Sequence, residues 1–165
     1  MSTERSSSKE KLEQKLGEAL GLEMAAQKAV QELSSMGLLD KRGILSNLKN
    51  MQKEAGNHQS KLEQLVQKLS GSLDSATIQE AAQETEQKAS EMMKTYLGQD
   101  PDSSEAIEFL CLAEGGEVTH YEVLSALALK KVKNKQLSNT VNSILREEKR
   151  HLQLCTRLAK QIAVS

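Results

Sequence analysis

Apolar residues recur along the chain at alternating spacings of four and three, as expected of helices that bury one face. The pattern breaks around Gly37, Gly71 and Pro101, and more weakly around Asn134, which divides the chain into five segments. It predicts helices over roughly residues 9–35, 40–69, 75–97, 103–132 and 135–163. The predicted fold class is therefore all-α.

The lengths of the segments indicate how the helices are connected. Four predicted helices are long, and a helix of about 29 residues extends ~43 Å. Long helices joined by short connections pack antiparallel, whereas segment 75–97 is shorter and can cross from one end of a bundle to the other. We therefore expect a ferritin-like antiparallel four-helix bundle with a crossover helix between the second and third long helices. Residues 1–10, rich in Ser and charge, are expected to be a disordered tail before a single domain over 11–165.

Polar residues interrupt the apolar faces near the middle of the four long helices. Antiparallel packing would bring them to one level, where a buried carboxylate needs a proton, a partner or a metal ion. All three histidines of the chain belong to this set. The interrupting residues are Glu23, Gln27, His58, Glu117, His120, Glu148 and His151.

The spacing of these residues favours a metal site. A Glu and a His three or four positions apart lie on one helix face and can bind one ion. Carboxylate-rich ligand sets suit iron or manganese better than zinc. The alternative is a hydrogen-bonded Glu–His network without metal. The pairs are Glu117 with His120, Glu148 with His151 and, at a spacing of four, Glu54 with His58.

The same alternation assigns an inward face to the crossover helix and to the fourth helix. Both faces are dominated by aliphatic and small residues, in a chain whose aromatic content is only 2%. The crossover face is Ile78, Ala82, Thr85, Ala89, Met92 and Tyr96, and the fourth-helix face is Leu110, Ala113, Glu117, His120, Leu124 and Leu127.

Composition and charge exclude several classes of function. The scarcity of aromatic rings argues against a β-sandwich core and against a stacking groove for single-stranded nucleic acid. Residues 118–165 carry 9 basic and 3 acidic side chains, but the lysines at 130–135 fit a helix end, so nucleic-acid binding is not favoured. No apolar run is long enough for a membrane span, and the first residues do not form a secretory signal. Cys111 and Cys155 lack C-x-x-C spacing, which is typical of small buried residues in the reducing cytoplasm.

Two segments carry a resemblance to a known family. Glu117-Val-Thr-His-Tyr-Glu-Val123 and Ile144-Leu-Arg-Glu-Glu-Lys-Arg-His-Leu152 resemble the YciF family of ferritin-like, stress-associated proteins, and the stretch from His58 to Leu69 resembles its second helix. The resemblance covers about residues 12–163. It implies a ferritin-like bundle, often dimeric, with a di-iron site in the bacterial or archaeal cytoplasm.

The resemblance also implies particular ligands. The matching positions are Glu54, His58, Glu122 and either Glu147 or Glu148. In the fourth helix the resemblance thus favours Glu122, whereas periodicity favours Glu117 and His120, and both alternatives stand.

The sequence departs from the family pattern at three positions where a carboxylate is expected. Gln27 stands where the first helix of the family has Glu, and Thr119 replaces a Glu before His120. Ala55 occupies the Glu position of a ferritin-like Glu-x-x-His in the second helix. The predicted dinuclear site is therefore either intact or degenerate.

Two functions follow from these residues. The first is a stress-associated protein whose carboxylate/histidine site binds iron or manganese and handles oxygen or peroxide, and any enzyme activity would be of this kind. The alternative is a metal-free helical bundle that acts as an oligomerisation or protein-interaction module. A homodimer is expected in either case. The sequence identifies neither a small-molecule substrate nor a catalytic residue, and it contains no Gly-rich phosphate loop or nucleophile triad.

Overall fold

A computed structural model describes residues 2–41 and 43–165, with the side chains of 7–41 and 43–165. Within these residues the chain is helical and contains no strand, which confirms the all-α prediction. The α-helices are α1 (Ser2–Ser35), α2 (Ile44–Lys68), α3 (Ser75–Leu97), α4 (Ser103–Leu127) and α5 (Lys135–Ala163), and a π-helical turn (Ala128–Val132) extends α4.

The helix boundaries differ from the prediction mainly at two N-termini. The backbone of residues 2–10, assigned above to a disordered tail, is helical, and Met1 lies outside the described residues. Helix α2 begins at Ile44 rather than residue 40, because Gly43 with φ 83° forms its N-cap. A positive φ of this size favours glycine.

Side-chain caps fix the starts of α3 and α4. Asp74 accepts hydrogen bonds from the backbone N–H groups of Ala76 and Thr77 at the start of α3. Asp102 and Glu105 form a reciprocal capping box at the start of α4. Such caps satisfy N–H groups that have no partner in the first helical turn, and each contributes about 1 kcal/mol.

The helices pack as antiparallel neighbours. Helices α1 and α2 pair so that Gln27 lies near Gln52 and Glu23 near His58. Helices α4 and α5 pair likewise, and α1 packs on α4 while α2 packs on α5. Near one end of the bundle, Ser125 of α4 donates a hydrogen bond to Asn142 of α5. Near the other end, Cys155 of α5 contacts Met51 of α2.

Helix α3 lies along α1, and two glycines allow a close approach. A Cβ atom at Gly17 would lie 2.5 Å from Ala81 Cβ, and one at Gly21 would lie 2.3 Å from the Ala82 carbonyl oxygen. Both distances are too short for real carbon contacts, so these positions require glycine. The close packing holds the connecting helix against the bundle.

The inward face of α3 is shifted from the prediction in its second half. Met93 and Leu97 are buried, whereas Met92 and Tyr96 are 66% and 45% exposed. Two successive steps of four, from Ile78 to Ala82 and from Ala82 to Glu86, move the buried face one position beyond the predicted alternation. A helix with 3.6 residues per turn drifts in this direction from a pattern that repeats every 3.5 residues. The predicted inward positions Met92 and Tyr96 are therefore wrong.

The core has two apolar ends with a polar level between them. The first apolar end includes Leu16, Leu62 and Val141, and the second includes Leu33, Leu48 and Leu158. Between them lies what we call the polar layer, a set of buried residues on α1, α2, α4 and α5. Its members are Glu23, His58, Glu114, Glu117, Glu148 and His151.

Two surface expectations can be compared with the structure. Among the described residues, no helix combines the length and the apolar character needed to cross a membrane. Lys130 and Lys131 lie in the π-helical turn, and Lys133, with φ 54°, ends it. These lysines are exposed at a helix end, as predicted.

Candidate metal centre

The inward face of α4 decides which carboxylates reach the polar layer. Its buried positions include Ile107, Leu110, Glu114, Glu117 and Tyr121, which continue the alternation of threes and fours. The predicted face, with Ala113 and His120, is displaced by one residue on either side of Glu117. As a result α4 contributes two adjacent carboxylates to the core.

His58 of α2 contacts carboxylates on three sides. Its Nδ1 atom lies 2.7 Å from Glu148 Oε1 and 3.2 Å from Glu23 Oε1. Its Nε2 atom contacts Glu147 at the edge of the layer. Glu23 also accepts a hydrogen bond of 2.7 Å from the buried Tyr121 hydroxyl. The imidazole thus turns Nδ1 towards the centre of the bundle and Nε2 outward.

His151 of α5 has the same orientation. Its Nδ1 atom lies 3.4 Å from Glu148 Oε2 and 3.7 Å from Glu114 Oε2. Its Nε2 atom lies 2.6 Å from Glu54 Oε2, and Arg150 contacts the same oxygen at 2.6 Å. A carboxylate on the outer nitrogen fixes the ring and its tautomer, as it commonly does for metal-binding histidines.

Glu148 belongs to two groups of potential metal ligands. One group is Glu23, His58 and Glu148, and the other is Glu114, Glu148 and His151. In each group one ligand atom from every residue lies within 4.8 Å of the others, and all these residues are buried. The His58 and His151 rings stack with centroids 5.7 Å apart. The two groups therefore adjoin through the carboxylate of Glu148.

Several buried carboxylate oxygens in the polar layer have no hydrogen-bond partner. Buried polar groups are almost always paired, so a set of unpaired oxygens at one level needs an explanation. A cation that binds between them would provide one. The oxygens are Glu23 Oε2, Glu114 Oε2 and Glu117 Oε1. The two oxygens of Glu148 are instead in ion-pair contact with the Nδ1 atoms of His58 and His151.

Burial changes the protonation of three of these carboxyl groups. Burial, reinforced by the nearby Glu148 charge, raises the pKa of Glu23 to about 8. The same two causes raise the pKa of Glu114 and Glu117 well above the ordinary value. Without a cation, burial thus favours the protonated form of all three carboxyl groups, and Glu23 holds its proton at neutral pH.

Glu148 and the two histidines instead favour their charged forms, since the pKa of Glu148 is lowered and the pKa values of both histidines are raised. Burial opposes ionisation of Glu148, but hydrogen bonds from His151 and His58 outweigh it and lower its pKa. Burial likewise opposes the imidazolium of His58, yet its contacts with Glu148 and Glu23 raise its pKa to about 11. The pKa of His151 is also raised, against burial, by Glu148 and Glu54. A negative Glu148 between two imidazolium rings is thus the centre of the metal-free site.

The structure brings five of the eight sequence-predicted ligands into the polar layer. Glu54 lies beside it, one third exposed, on the outer nitrogen of His151. His120 lies at the surface, where its Nδ1 contacts the Gly116 carbonyl oxygen and its Nε2 lies 3.3 Å from Glu18. Glu122 is exposed and paired with Lys149. The five are Glu23, His58, Glu117, Glu148 and His151.

Of Glu117 and Glu122, Glu117 points into the core and Glu122 lies at the surface, but the predicted partner His120 does not point inward with Glu117. The spacing of Glu117 and His120 indicated a pair on one face. His120, however, is next to Tyr121, and only one of two adjacent helical positions can point directly into the core. The larger and less polar Tyr121 occupies that position.

Glu114 is the residue that the sequence prediction missed. It is 1% exposed and contributes to the second ligand group. The available signal was the Glu-x-x-Glu spacing of Glu114 and Glu117, together with Tyr121 four positions further on.

The three departures from the family pattern lie off the ligand groups. Gln27 donates a hydrogen bond to Gln59, 2.7 Å away, and Thr119 is exposed and bonds to the Gly115 carbonyl oxygen. Ala55 is buried but provides no ligand. The cysteines also lie outside these groups, and burial raises the pKa of both thiols.

Comparison with known proteins adds no relative: no protein-family model, no curated protein and no solved structure matches the chain. Function must therefore be inferred from the residues of the polar layer.

Proposed function

We propose that this chain is a ferritin-like bundle whose polar layer holds two metal ions, one in each ligand group and both in contact with Glu148. The order of the helices supports the proposal. Two antiparallel pairs, α1 with α2 and α4 with α5, are joined by α3, which lies along α1. Ferritin-like folds connect two helical pairs by one long crossover in this way.

The donor set supports two ions. Ferritin-like dimetal sites use four Glu and two His, with Glu-x-x-His on two of the helices. Helix α5 supplies that motif as Glu148 and His151, and α1 supplies Glu23. The polar layer likewise contains four buried Glu and two buried His side chains.

The distribution of those donors is different. Helix α2 supplies His58 but has Ala55 where the second motif needs Glu. Helix α4 supplies both Glu114 and Glu117 instead of one carboxylate. We infer that the extra carboxylate on α4 replaces the one that α2 lacks, so that the site is rearranged rather than lost.

The observation that carries the proposal is the pair of buried ligand groups that share Glu148, at a level where three further carboxylate oxygens have no hydrogen-bond partner. Carboxylate oxygens and imidazole nitrogens at one buried level are the ligands that iron and manganese prefer. These ions would supply the redox chemistry with dioxygen or peroxide that a stress-associated role requires. The metal identity and the stress role rest on the ligand chemistry and on the YciF resemblance.

Other side chains orient these ligands. Glu147 and Glu54 hold the outer nitrogens of His58 and His151, and the Tyr121 hydroxyl holds Glu23. The apolar ends above and below exclude water, so that each electrostatic contact within the layer is stronger than it would be in solution. These residues therefore prepare the ligand atoms before an ion arrives.

The test is anaerobic titration with Fe²⁺ or Mn²⁺, followed by elemental analysis and thermal denaturation. We expect two ions per chain and a higher melting temperature, since an ion that binds only the folded state stabilises it. Glu148→Gln should lose both ions, and Glu23→Gln or Glu114→Gln should lose one.

The third histidine provides the control. His120→Ala and Glu122→Gln remove the same kinds of side chain at the surface and should keep both ions. Near-zero metal in the wild-type chain, or metal that survives Glu148→Gln, would overturn the proposal.

The second candidate is a metal-free bundle that acts as an oligomerisation or interaction module. It is favoured by the ion pairs of Glu148 with His58 and His151, which compensate charge without a metal ion. Under this alternative the titration gives no bound ion. Sedimentation would then show a homodimer whose stability does not change with added metal.

A further inference from the structure

A small apolar pocket lies between α1, α3 and α4 and ends at the polar layer. Its volume is about 40 Å³. Its walls include Ala29, Met93, Phe109 and Ala113, and Glu114 and Glu117 form its inner end. Glu114 Oε2 and Glu117 Oε1 are the unpaired oxygens of these two residues.

The outer end of the pocket reaches the surface. Lys28 and Glu32 of α1 line it and are exposed, and Ser90 of α3 is half-buried there. Lys28 pairs with Glu86 across α1 and α3. Inward of these polar residues the walls are apolar as far as the carboxyl groups of α4.

The size and the walls restrict what can occupy the pocket. A buried water needs two to four polar partners, and along the pocket only the inner end at Glu114 and Glu117 offers them. A ring such as benzene occupies a cavity of about 150 Å³, several times larger. A cation would lose its hydration among apolar side chains without compensation. A small, uncharged, apolar molecule is the occupant that remains.

The opposite side of the polar layer differs in chemistry. A cleft of about 250 Å³ between α2 and α5 is lined by Glu54, Arg150, His151 and amide side chains. It is several times larger than the apolar pocket and is lined partly by charged side chains. The apolar pocket and the cleft therefore suit different kinds of molecule.

We propose that the pocket between α1, α3 and α4 binds a small apolar molecule of the size of dioxygen and guides it to Glu114 and Glu117. That this molecule is a reactant rests on the proposed metal function, but its binding does not.

Xenon is the probe, because apolar cavities bind it and it requires no metal. Crystals of the metal-free protein under xenon pressure should show xenon between Ala29, Phe109 and Ala113. Ala113→Leu should fill the pocket from α4 and remove the xenon, and Ala89→Leu should do so from α3. Ala126→Leu places the same change on the exposed side of α4 and should keep it.

The outcomes separate this proposal from the metal proposal. Absence of xenon from the wild-type pocket, ordered water in its place, or xenon that persists in both filled variants would overturn the pocket assignment. Elemental analysis of Ala113→Leu should still give the wild-type metal content, and a loss of metal would show that the variant disturbs the ligands rather than the pocket. If the wild-type chain binds xenon but no metal, the proposed function fails and the pocket remains.

Discussion

The apolar end of the core around Leu62 and the polar layer around Glu148 lie next to each other on the same helices. Burial stabilises the folded state in the first region and destabilises it in the second. Leu62 is fully buried among aliphatic side chains and gains from removal from water. Glu148 is also fully buried, but its charge depends on ion pairs with His58 and His151. The neighbouring carboxyl groups of the layer each leave one buried oxygen without a hydrogen-bond partner. The apolar ends thus stabilise the bundle, while the layer between them costs stability that a bound cation would restore.

Truncation of the apolar ends should give the largest effect. Leu62→Ala and Leu48→Ala, one at each end, should each lower the free energy of unfolding by about 2–5 kcal/mol, because each deletes buried methyl groups and leaves a cavity. Chemical denaturation of the metal-free protein measures the change. Leu129→Ala is the control, since Leu129 is 64% exposed and should change stability by less than about 0.5 kcal/mol. Equal losses at all three positions would contradict the assigned core.

In the polar layer, removal of a buried side chain's polar group should raise the free energy of unfolding rather than lower it. Glu117→Met replaces a buried carboxyl group by an apolar side chain of similar size and should raise the stability of the metal-free protein by about 1–3 kcal/mol. The variant should also bind less metal, because it loses a ligand oxygen. A loss of stability as large as that of Leu62→Ala would mean that the layer is a stabilising network, as the metal-free alternative requires.

The pH dependence of stability provides a finer comparison. With a pKa of about 8 in the folded protein and 4.5 as its ordinary value, Glu23 holds a proton between these values that the unfolded chain releases. Stability contributed by that proton is fully present below pH 4.5 and is lost as the pH rises towards 8. Each such proton gives a slope of about 1.4 kcal/mol per pH unit, falling with rising pH.

Urea denaturation of the metal-free protein between pH 5 and 7 measures that slope. Stability should fall as the pH rises, because Glu114 and Glu117 also keep their protons in the folded state. Glu23→Gln should make the slope shallower by about 1.4 kcal/mol per pH unit. Glu122→Gln, at the exposed pair with Lys149, should leave it unchanged. A slope that rises with pH would contradict the protonation state assigned to the layer.

The smallest expected effect is at the edge of the layer. Tyr121→Phe removes one hydrogen bond to Glu23 and should lower stability by about 1 kcal/mol. Because Tyr121 is outside both ligand groups, the variant should still bind two ions, with weaker affinity in the group that contains Glu23. Isothermal titration with Mn²⁺ would detect this difference, and complete loss of one ion would instead make Tyr121 a ligand.

The sequence predicts much of this fold because one rule, the burial of the apolar face of each helix, determines where the helices lie. Helix positions follow from apolar periodicity, and α3 and α5 have the predicted bounds. His58, Glu148 and His151 were found because each interrupts a clear apolar face. Such an interruption is costly unless the residue has a partner, so it is informative.

The same rule fails on α4, where apolar and small residues occupy several faces. Ala113 and Leu112 lie beside Glu114, so periodicity alone does not decide between neighbouring faces of that helix. Which face turns inward depends on packing against α1 and α5, where Tyr121 meets Glu23. The outer contact of Glu54 with His151, between residues 97 positions apart, likewise depends on tertiary structure.

The central claim is that the polar layer holds two ions on either side of Glu148. The most direct measurement is anomalous X-ray scattering from crystals of the protein loaded with Mn²⁺. We predict two manganese peaks in the core, one beside His58 Nδ1 and one beside His151 Nδ1, with the Glu148 carboxylate between them. Manganese confined to surface carboxylates, or a core without a peak, would contradict it.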